Sequence, residues 1–176
     1  MAEIADIFKL KVDPYINIIV IGDIKILNSF FTHIKDCRQH ELLNLFSKSY
    51  EMSSRKITCN LWKANLNTNN NQRHFFSKKI DYCLILCPLK SQNKENLIES
   101  IAMAENLAEY TVVGIEQRID ELSEFISSKN INLAKIKGYD TEQINKLLLL
   151  IVNTIYQHKK QELNQKFREI LAKLSD

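Results

Sequence analysis

Glycine and proline are scarce in this chain, which contains three glycines and two prolines among 176 residues. These residues supply many turns and interrupt regular elements, so their scarcity predicts long helices and strands joined by short connections. A dinucleotide-binding fingerprint needs several closely spaced glycines, and Gly22 has none nearby. The sequence therefore excludes that kind of nucleotide site.

Long apolar runs and strong charge imbalance are also absent. The longest apolar run, residues 147–152, is far shorter than the ~20 residues that span a bilayer. The net charge is only +3 and the basic residues are scattered, so neither membrane nor nucleic-acid binding is indicated. The N-terminal residues form no apolar signal segment, which predicts an intracellular protein. The length and the hydrophobic content of 45% predict a folded domain with its own core.

Metal-binding and redox motifs are missing as well. The four cysteines contain no C-x-x-C pair, and the four histidines form no H-E-x-x-H or other metal spacing. Cys83 and Cys87 share one face of a predicted strand, roughly 13 Å apart, which is too far for a disulfide. We therefore expect buried, reduced thiols, with no metal, no cofactor and no catalytic residue. Cys87, at the end of its strand, is the one conceivable nucleophile.

The apolar residues alternate between strand and helix periodicity along the chain. The predicted strands are 17–21, 56–62, 80–87, 111–115 and 131–136. The predicted helices are 26–35, 40–49, 91–110, 120–129 and a long terminal helix from residue 141. This alternation predicts an α/β protein with three αβα layers, in which helices cover both faces of a mostly parallel sheet. The polar stretch 65–72 is predicted to be a connection.

The first predicted strand leads into a segment with the layout of a phosphate-binding loop, G-x-x-x-x-G-K-[ST]. Gly22 and Ser29 match this pattern, whereas Leu27 occupies the position of the second glycine and Asn28 that of the lysine. The segment therefore lacks the flexible backbone that curls around a phosphate and the cation that neutralises it. We expect Leu27 and Ile24 to fill the phosphate space from the inside.

With its elements in this order, the chain resembles the Ras-like small GTPases, which have the P-loop NTPase topology. That family ends its magnesium-binding strand with W-D-T-A-G-Q, where this chain has Lys63 for the aspartate and Leu66 for the glycine. The guanine-reading motif N-K-x-D corresponds to Ile115 and Arg118 at its first and last positions. The stretch before residue 56 is expected to be too short for a complete first switch loop and edge strand. The resemblance implies a pseudo-GTPase that is not an enzyme and neither binds nor hydrolyses GTP.

Among pseudo-GTPases, the chain most resembles the centromere protein M family. The resemblance rests on IIVIGD at 18–23, on the segment 77–101 and on the segment 131–152. It implies a non-enzymatic scaffold of the inner kinetochore, located in the nucleus at the centromere. The implied partners are centromere protein I, which is a helical-repeat protein, and the paired centromere proteins H and K. No direct contact with nucleic acid, a membrane or a small-molecule substrate is implied.

Two alternatives stay open. One is a divergent Ras- or Rab-like protein in membrane traffic, located in the cytoplasm, with or without residual nucleotide binding. The other is a divergent enzyme that binds nucleotide by a different arrangement. Motifs of other enzyme classes are absent: the serines, for example, lie in no nucleophile-elbow context.

The predicted terminal helix is longer than such a domain is wide, because about 34 helical residues span roughly 50 Å. We expect a pseudo-GTPase domain at 1–156 and a helical extension at 157–176. The extension folds back or frays, offers an amphipathic helix to a partner groove, or has a calmodulin-like or membrane-surface role. The candidate partner-contacting residues are Trp62, Leu163, Phe167, Ile170, Leu171 and Leu174. Trp62 has a second explanation, as a packing residue at the end of its strand.

Overall fold

The computed structural model describes residues 14–40, 44–65, 79–88, 93–116 and 122–175. Within these ranges the strands are β1 (Tyr15–Gly22), β2 (Arg38–His40), β3 (Leu45–Met52), β4 (Arg55–Asn65), β5 (Tyr82–Pro88), β6 (Tyr110–Glu116) and β7 (Leu133–Lys137). The helices are α1 (Ile24–Thr32), α2 (Lys94–Glu105), α3 (Ser123–Ser128) and α4 (Thr141–Ser175). The predicted polar connection lies, from residue 66 onward, outside the described residues.

One mixed sheet forms the centre of the structure. Its strand order is β2-β3-β4-β1-β5-β6-β7. The strands from β4 through β1, β5 and β6 to β7 pair in parallel, whereas β2 with β3 and β3 with β4 pair antiparallel. The predicted α/β fold with a mostly parallel sheet and a long C-terminal helix is confirmed. Its central strands are apolar on both faces, as strands covered from both sides require.

Helices cover both faces of the sheet and form two hydrophobic clusters. On the first face, Leu27 of α1 and Ile144 of α4 pack with side chains of the central strands. On the second face, Leu97 of α2 and Ile126 of α3 pack in the same way. Successive residues of β1 join alternate clusters, because neighbouring side chains of a strand point to opposite faces.

The predicted helix at 40–49 is wrong, because β2 and β3 occupy the described part of this segment. β3 pairs antiparallel with β4, beginning with Leu45 opposite Trp62. Its later residues alternate as a strand requires, with Tyr50 and Met52 buried in the first cluster and Glu51 exposed between them. The segment before residue 56 therefore contains an edge strand, although it was expected to be too short for one.

The turn between β3 and β4 carries no recognisable sequence signal. Ser53 and Ser54 connect the strands, and both have left-handed backbone angles, with φ of 49° and 63°. Two-residue hairpin turns of this kind usually contain asparagine and glycine, which tolerate positive φ. The leucines upstream fit a helical pattern and the two serines do not indicate a hairpin, so the sequence predicted a helix here.

Helix α4 is 35 residues long and runs without a break from Thr141 to Ser175. The boundary predicted at residue 156 thus falls inside one continuous helix. Just beyond it, Lys159 Nζ forms an ion pair with Asp81 Oδ1 at 2.9 Å. The first turn of the extension is therefore attached to the sheet, while most of the residues after it are exposed.

Candidate functional site

The topology marks one place where a ligand would be expected. In open α/β sheets, ligands bind outside the carboxyl ends of the strands, where the connections of neighbouring strands diverge. Here that point lies between β1 and β5, because the chain leaves β1 toward the β4 side and leaves β5 toward β6. The predicted loop residues follow β1 directly and therefore border this point.

A single residue, Asp23, separates β1 from α1. Its carboxylate caps the helix by accepting a hydrogen bond from the Lys25 N–H at 2.8 Å. Its carbonyl oxygen accepts the first helical hydrogen bond, from the Leu27 N–H at 2.9 Å. In a phosphate-binding loop, such amides face the phosphate. Here residues 24–29 are already helical, and the protein supplies its own anion at the helix start.

Gly22 has a packing explanation that does not involve phosphate. It lies in β1 outside the left-handed backbone region. A side chain added to it would place Cβ 3.3 Å from Leu86 Cβ on the neighbouring strand, which is tighter than ordinary contact. Leu27 is fully buried beside it, as predicted. Ile24 was predicted to be internal too, but 40% of its surface is exposed because it lies on the outer side of the first helical turn.

The residues that the resemblance aligns with the two charged groups of a GTPase site contact each other. Lys63 of β4 aligns with the magnesium-binding aspartate, and its Nζ donates a hydrogen bond to Asn28 Oδ1 of α1. The ammonium also lies 6.0 Å from the centre of the Phe31 ring. Burial lowers the pKa of Lys63 below its ordinary value. A lysine ammonium is thus held where the small GTPases that the sequence resembles bind a metal ion.

Ser29 is contacted by a residue that the sequence pattern did not single out. Tyr139 follows β7 and lies beside the Ser29 side chain. Burial raises the pKa of Tyr139; the Ser29 side chain opposes this increase, and the Asp23 carboxylate adds to it. The ring of His33 stacks on Tyr139 with centroids 5.9 Å apart. Nothing in the sequence indicates this contact.

Among the described residues, the space left between β1 and β5 is small. A cavity of about 30 Å³ lies there, lined among others by Asp23, Leu86, Cys87 and Asn93. This volume suits a water molecule or two, whereas a ligand pocket usually measures about 300–1,000 Å³. Burial raises the pKa of Cys87 to about 12, and its Sγ donates to the Pro88 carbonyl at 3.3 Å. The thiol is therefore protonated at neutral pH and not primed for nucleophilic attack.

The predicted base-reading residues are described only in part. Ile115 is buried in the first cluster, with 3% of its surface exposed. Arg118 and Leu66 lie outside the described residues. The structure therefore brings together Gly22, Leu27, Asn28, Ser29 and Lys63 at the ends of β1 and β4, with Tyr139 added from the turn after β7.

The described residues contain few other groups that could bind a metal ion or take part in catalysis. Within them, no three His, Cys, Asp or Glu side chains are clustered as a metal site would require. Burial also raises the pKa of Cys59 and Cys83, the latter to about 12. Among the helices in the described ranges, none combines the length and hydrophobicity needed to cross a bilayer.

The candidate partner-contacting residues separate into two groups. Trp62 is 6% exposed and belongs to the second cluster, so it is a packing residue and we remove it from the predicted interface. In the extension, Phe167 and Leu171 are 39% and 43% exposed, while Leu163 and Ile170 are partly covered. Leu174 lies in α4, but its side chain is outside the described part of the structure.

No protein-family model matches the chain, and no curated protein is significantly similar to it. The geometry at the carboxyl end of the sheet and along α4 therefore provides the basis for a functional proposal.

Proposed function

We propose that this protein is a non-enzymatic scaffold or adaptor with a degenerate small-GTPase-like fold that neither binds nor hydrolyses GTP. One observation carries the proposal: β1 enters α1 through Asp23 alone, and the Asp23 carboxylate caps the helix where a phosphate would bind. A phosphate would meet a negative charge there, and it would find helical residues in place of a loop.

Two further contacts support the same reading. A magnesium ion would be repelled by the Lys63 ammonium, which is already engaged with Asn28. The cavity of about 30 Å³ at the divergence of β1 and β5 is too small for a nucleotide. Without a bound γ-phosphate to order or release its loops, such a domain would act through fixed surfaces.

The cellular part of the proposal follows from the resemblance to the centromere protein M family. We place the protein at the inner kinetochore, in the nucleus, as a subunit that binds the helical-repeat centromere protein I near the centromere protein H and K pair. Support comes from the three resembling sequence blocks and from the exposed apolar residues of α4. A helical-repeat partner would offer helix grooves into which Phe167 and Leu171 could insert.

Nucleotide binding is tested by titrating the protein with fluorescent GDP and GTP, with and without magnesium, and by analysing nucleotide released from heated protein. We expect no saturable binding and no co-purified nucleotide. The variant Leu27→Gly with Asn28→Lys, which restores two loop residues, should still lack GTPase activity because Lys63 and Arg118 remain. Magnesium-dependent GDP binding that Ser29→Ala abolishes would contradict the proposal.

Partner binding is tested by purifying the tagged protein from cells and identifying what accompanies it. The variant Phe167→Asp with Leu171→Asp should lose its partners while remaining folded. Gln165→Asp with Ala172→Asp is the matched control, because it adds the same charges to the opposite side of α4. Centromeric partners would support the kinetochore assignment. Proteins of membrane traffic would instead favour the alternative of a divergent Ras- or Rab-like protein.

A further inference from the structure

The apolar residues of the extension follow the spacing of a coiled coil. Leu163, Phe167, Ile170 and Leu174 are separated by four, three and four positions, which is the pattern of alternate a and d positions in a heptad. Leu171 lies next to this row. We call Leu163, Phe167, Ile170 and Leu171 the tail surface; Phe167 and Leu171 are substantially exposed. A helix face of this shape fits a second helix lying along it.

The tail surface belongs to a helix that is already formed and anchored. An isolated peptide with the sequence of the extension would be only marginally helical in water, because helix initiation is costly. Here the helix continues from the buried half of α4, and the Lys159–Asp81 ion pair attaches it to the sheet just before the tail surface begins. A partner would therefore not have to order this strand of the coiled coil, which favours binding.

Charges around the tail surface are unevenly placed. Lys166 and Lys173, seven positions apart, border one side of the apolar row, and the uncharged Asn164 and Leu171 border the other; both lysines are exposed. In the described part of the chain neither lysine has an ion-pair partner. The acidic Glu162 and Glu169 lie one helical turn before these lysines but farther from the row, and Glu169 Oε1 accepts a hydrogen bond from Gln165 at 3.1 Å. The apolar row is thus framed on one side by positive charge.

This frame disfavours pairing between two copies of the tail surface. In a parallel pair, Lys166 of one copy would face Leu171 of the other, with no acidic group to meet it. In an antiparallel pair, the lysines of the two copies would face one another and repel. A partner helix with glutamate or aspartate beside its apolar row would neutralise Lys166 and Lys173 together.

From this placement we infer that the tail surface forms a two-stranded coiled coil with an acidic amphipathic helix of another protein. The inference rests on the proposed function, since it names the chemistry of the scaffold's partner. The partner is a helical protein segment and not a membrane or a second copy of the chain.

The test uses the full chain and two labelled synthetic helices of about four heptads, with isoleucine and leucine at a and d. One helix carries glutamate at the positions beside the apolar row and the other carries lysine. We expect fluorescence anisotropy to show binding of the acidic helix, about tenfold or more tighter than the basic one, and weakening with salt. Lys166→Glu with Lys173→Glu should reverse this preference, and Phe167→Asp with Leu171→Asp should abolish binding of both.

The control variant Lys25→Glu with Lys129→Glu makes the same change in net charge on exposed residues of the domain and should leave binding unchanged. Equal binding of both synthetic helices, or no binding of either, would overturn the inference. Sedimentation that shows a dimer dissolved by Phe167→Asp, or binding of the chain to anionic vesicles, would also overturn it. These outcomes leave the scaffold proposal standing, which fails separately if the protein binds GDP with magnesium.

Discussion

The two ends of the sheet both contain a lysine held by oxygen atoms, but the surroundings of these lysines differ. At the carboxyl end, Lys63 hydrogen-bonds the exposed Asn28. At the amino end, Lys159 pairs with Asp81 at 2.9 Å, and these side chains are only 15% and 5% exposed. Lys159 Nζ also donates to the Tyr15 carbonyl at 3.0 Å.

From this difference we expect burial, more than the kind of contact, to set how much each polar group contributes to stability. Buried charges must keep their partners, because an uncompensated ion in the interior is costly. Partly exposed groups can exchange a lost partner for water. The end of the sheet where α/β proteins bind ligands therefore has replaceable polar contacts, while the opposite end has a buried ion pair between α4 and the residue before β5.

The largest effect is expected at the amino end. Lys159→Ala leaves the Asp81 carboxylate buried without its cation, and should lower the free energy of unfolding by about 3–5 kcal/mol. Chemical denaturation measures this. Lys160→Ala, one residue further along on an exposed position, should change stability by less than about 0.5 kcal/mol. Asp81→Asn with Lys159→Met should recover part of the loss, because no net charge stays buried. Equal effects of Lys159→Ala and Lys160→Ala would remove the contrast between the two ends.

The next effect concerns the apolar filling at the carboxyl end. Leu27→Ala removes a fully buried side chain and should cost about 3 kcal/mol of unfolding free energy. Ile24→Ala, in the same helix but 40% exposed, should cost less than about 1 kcal/mol. If the two substitutions cost the same, the start of α1 would be loosely packed against the sheet and could leave room for a ligand.

The two thiols of β5 lie at opposite ends of the sheet, Cys83 toward the amino end and Cys87 toward the carboxyl end. Burial raises the pKa of each from 9.0 to about 12. From pH 9 upward the unfolded chain loses these protons while the folded protein keeps them, so stability that is complete below pH 9 is lost progressively toward pH 12. We expect a loss of about 1.4 kcal/mol per pH unit for each thiol. Urea denaturation at several pH values measures it, and Cys87→Ala should remove one thiol's share; an unchanged slope would argue against this.

The smallest effect is expected for the polar pair at the carboxyl end. Lys63→Met and Asn28→Ala should each change the free energy of unfolding by about 0.5 kcal/mol or less, because both groups can contact water. A double-mutant cycle gives their coupling. A coupling as large as that of the buried pair at the amino end would show that this site is sealed from solvent.

The elements that apolar periodicity predicted correctly are those with a strong local pattern. β1 is an almost unbroken run of β-branched residues, and α4 has an apolar stripe up to residue 155 that resumes at Leu163 after a polar stretch. The burial of Leu27 also followed from its chemistry at a position where a glycine would be needed. In each case, the residue and its near neighbours in the sequence carry the signal.

Contacts between distant residues could not be predicted in this way. β3 appeared helical because its leucine and phenylalanine neighbours fit a helix, and only pairing with β4 makes it a strand. The contact of Lys63 with Asn28 joins residues 35 positions apart. The contact of Tyr139 with Ser29 depends on the turn after β7 being placed beside α1. Local preference carries no information about such neighbours.

By itself, the sequence determined that strands and helices alternate, that the loop after β1 lacks the groups that hold phosphate, and that an apolar stripe continues into the extension. These are properties of residue type and spacing. Only the tertiary structure decided that Asp23 caps α1, that Trp62 is internal, and that Lys159 attaches α4 to the sheet before the tail surface begins. Those outcomes depend on which surfaces pack together when the helices cover the sheet. Burial then decides which polar groups must be paired and which remain accessible to a partner.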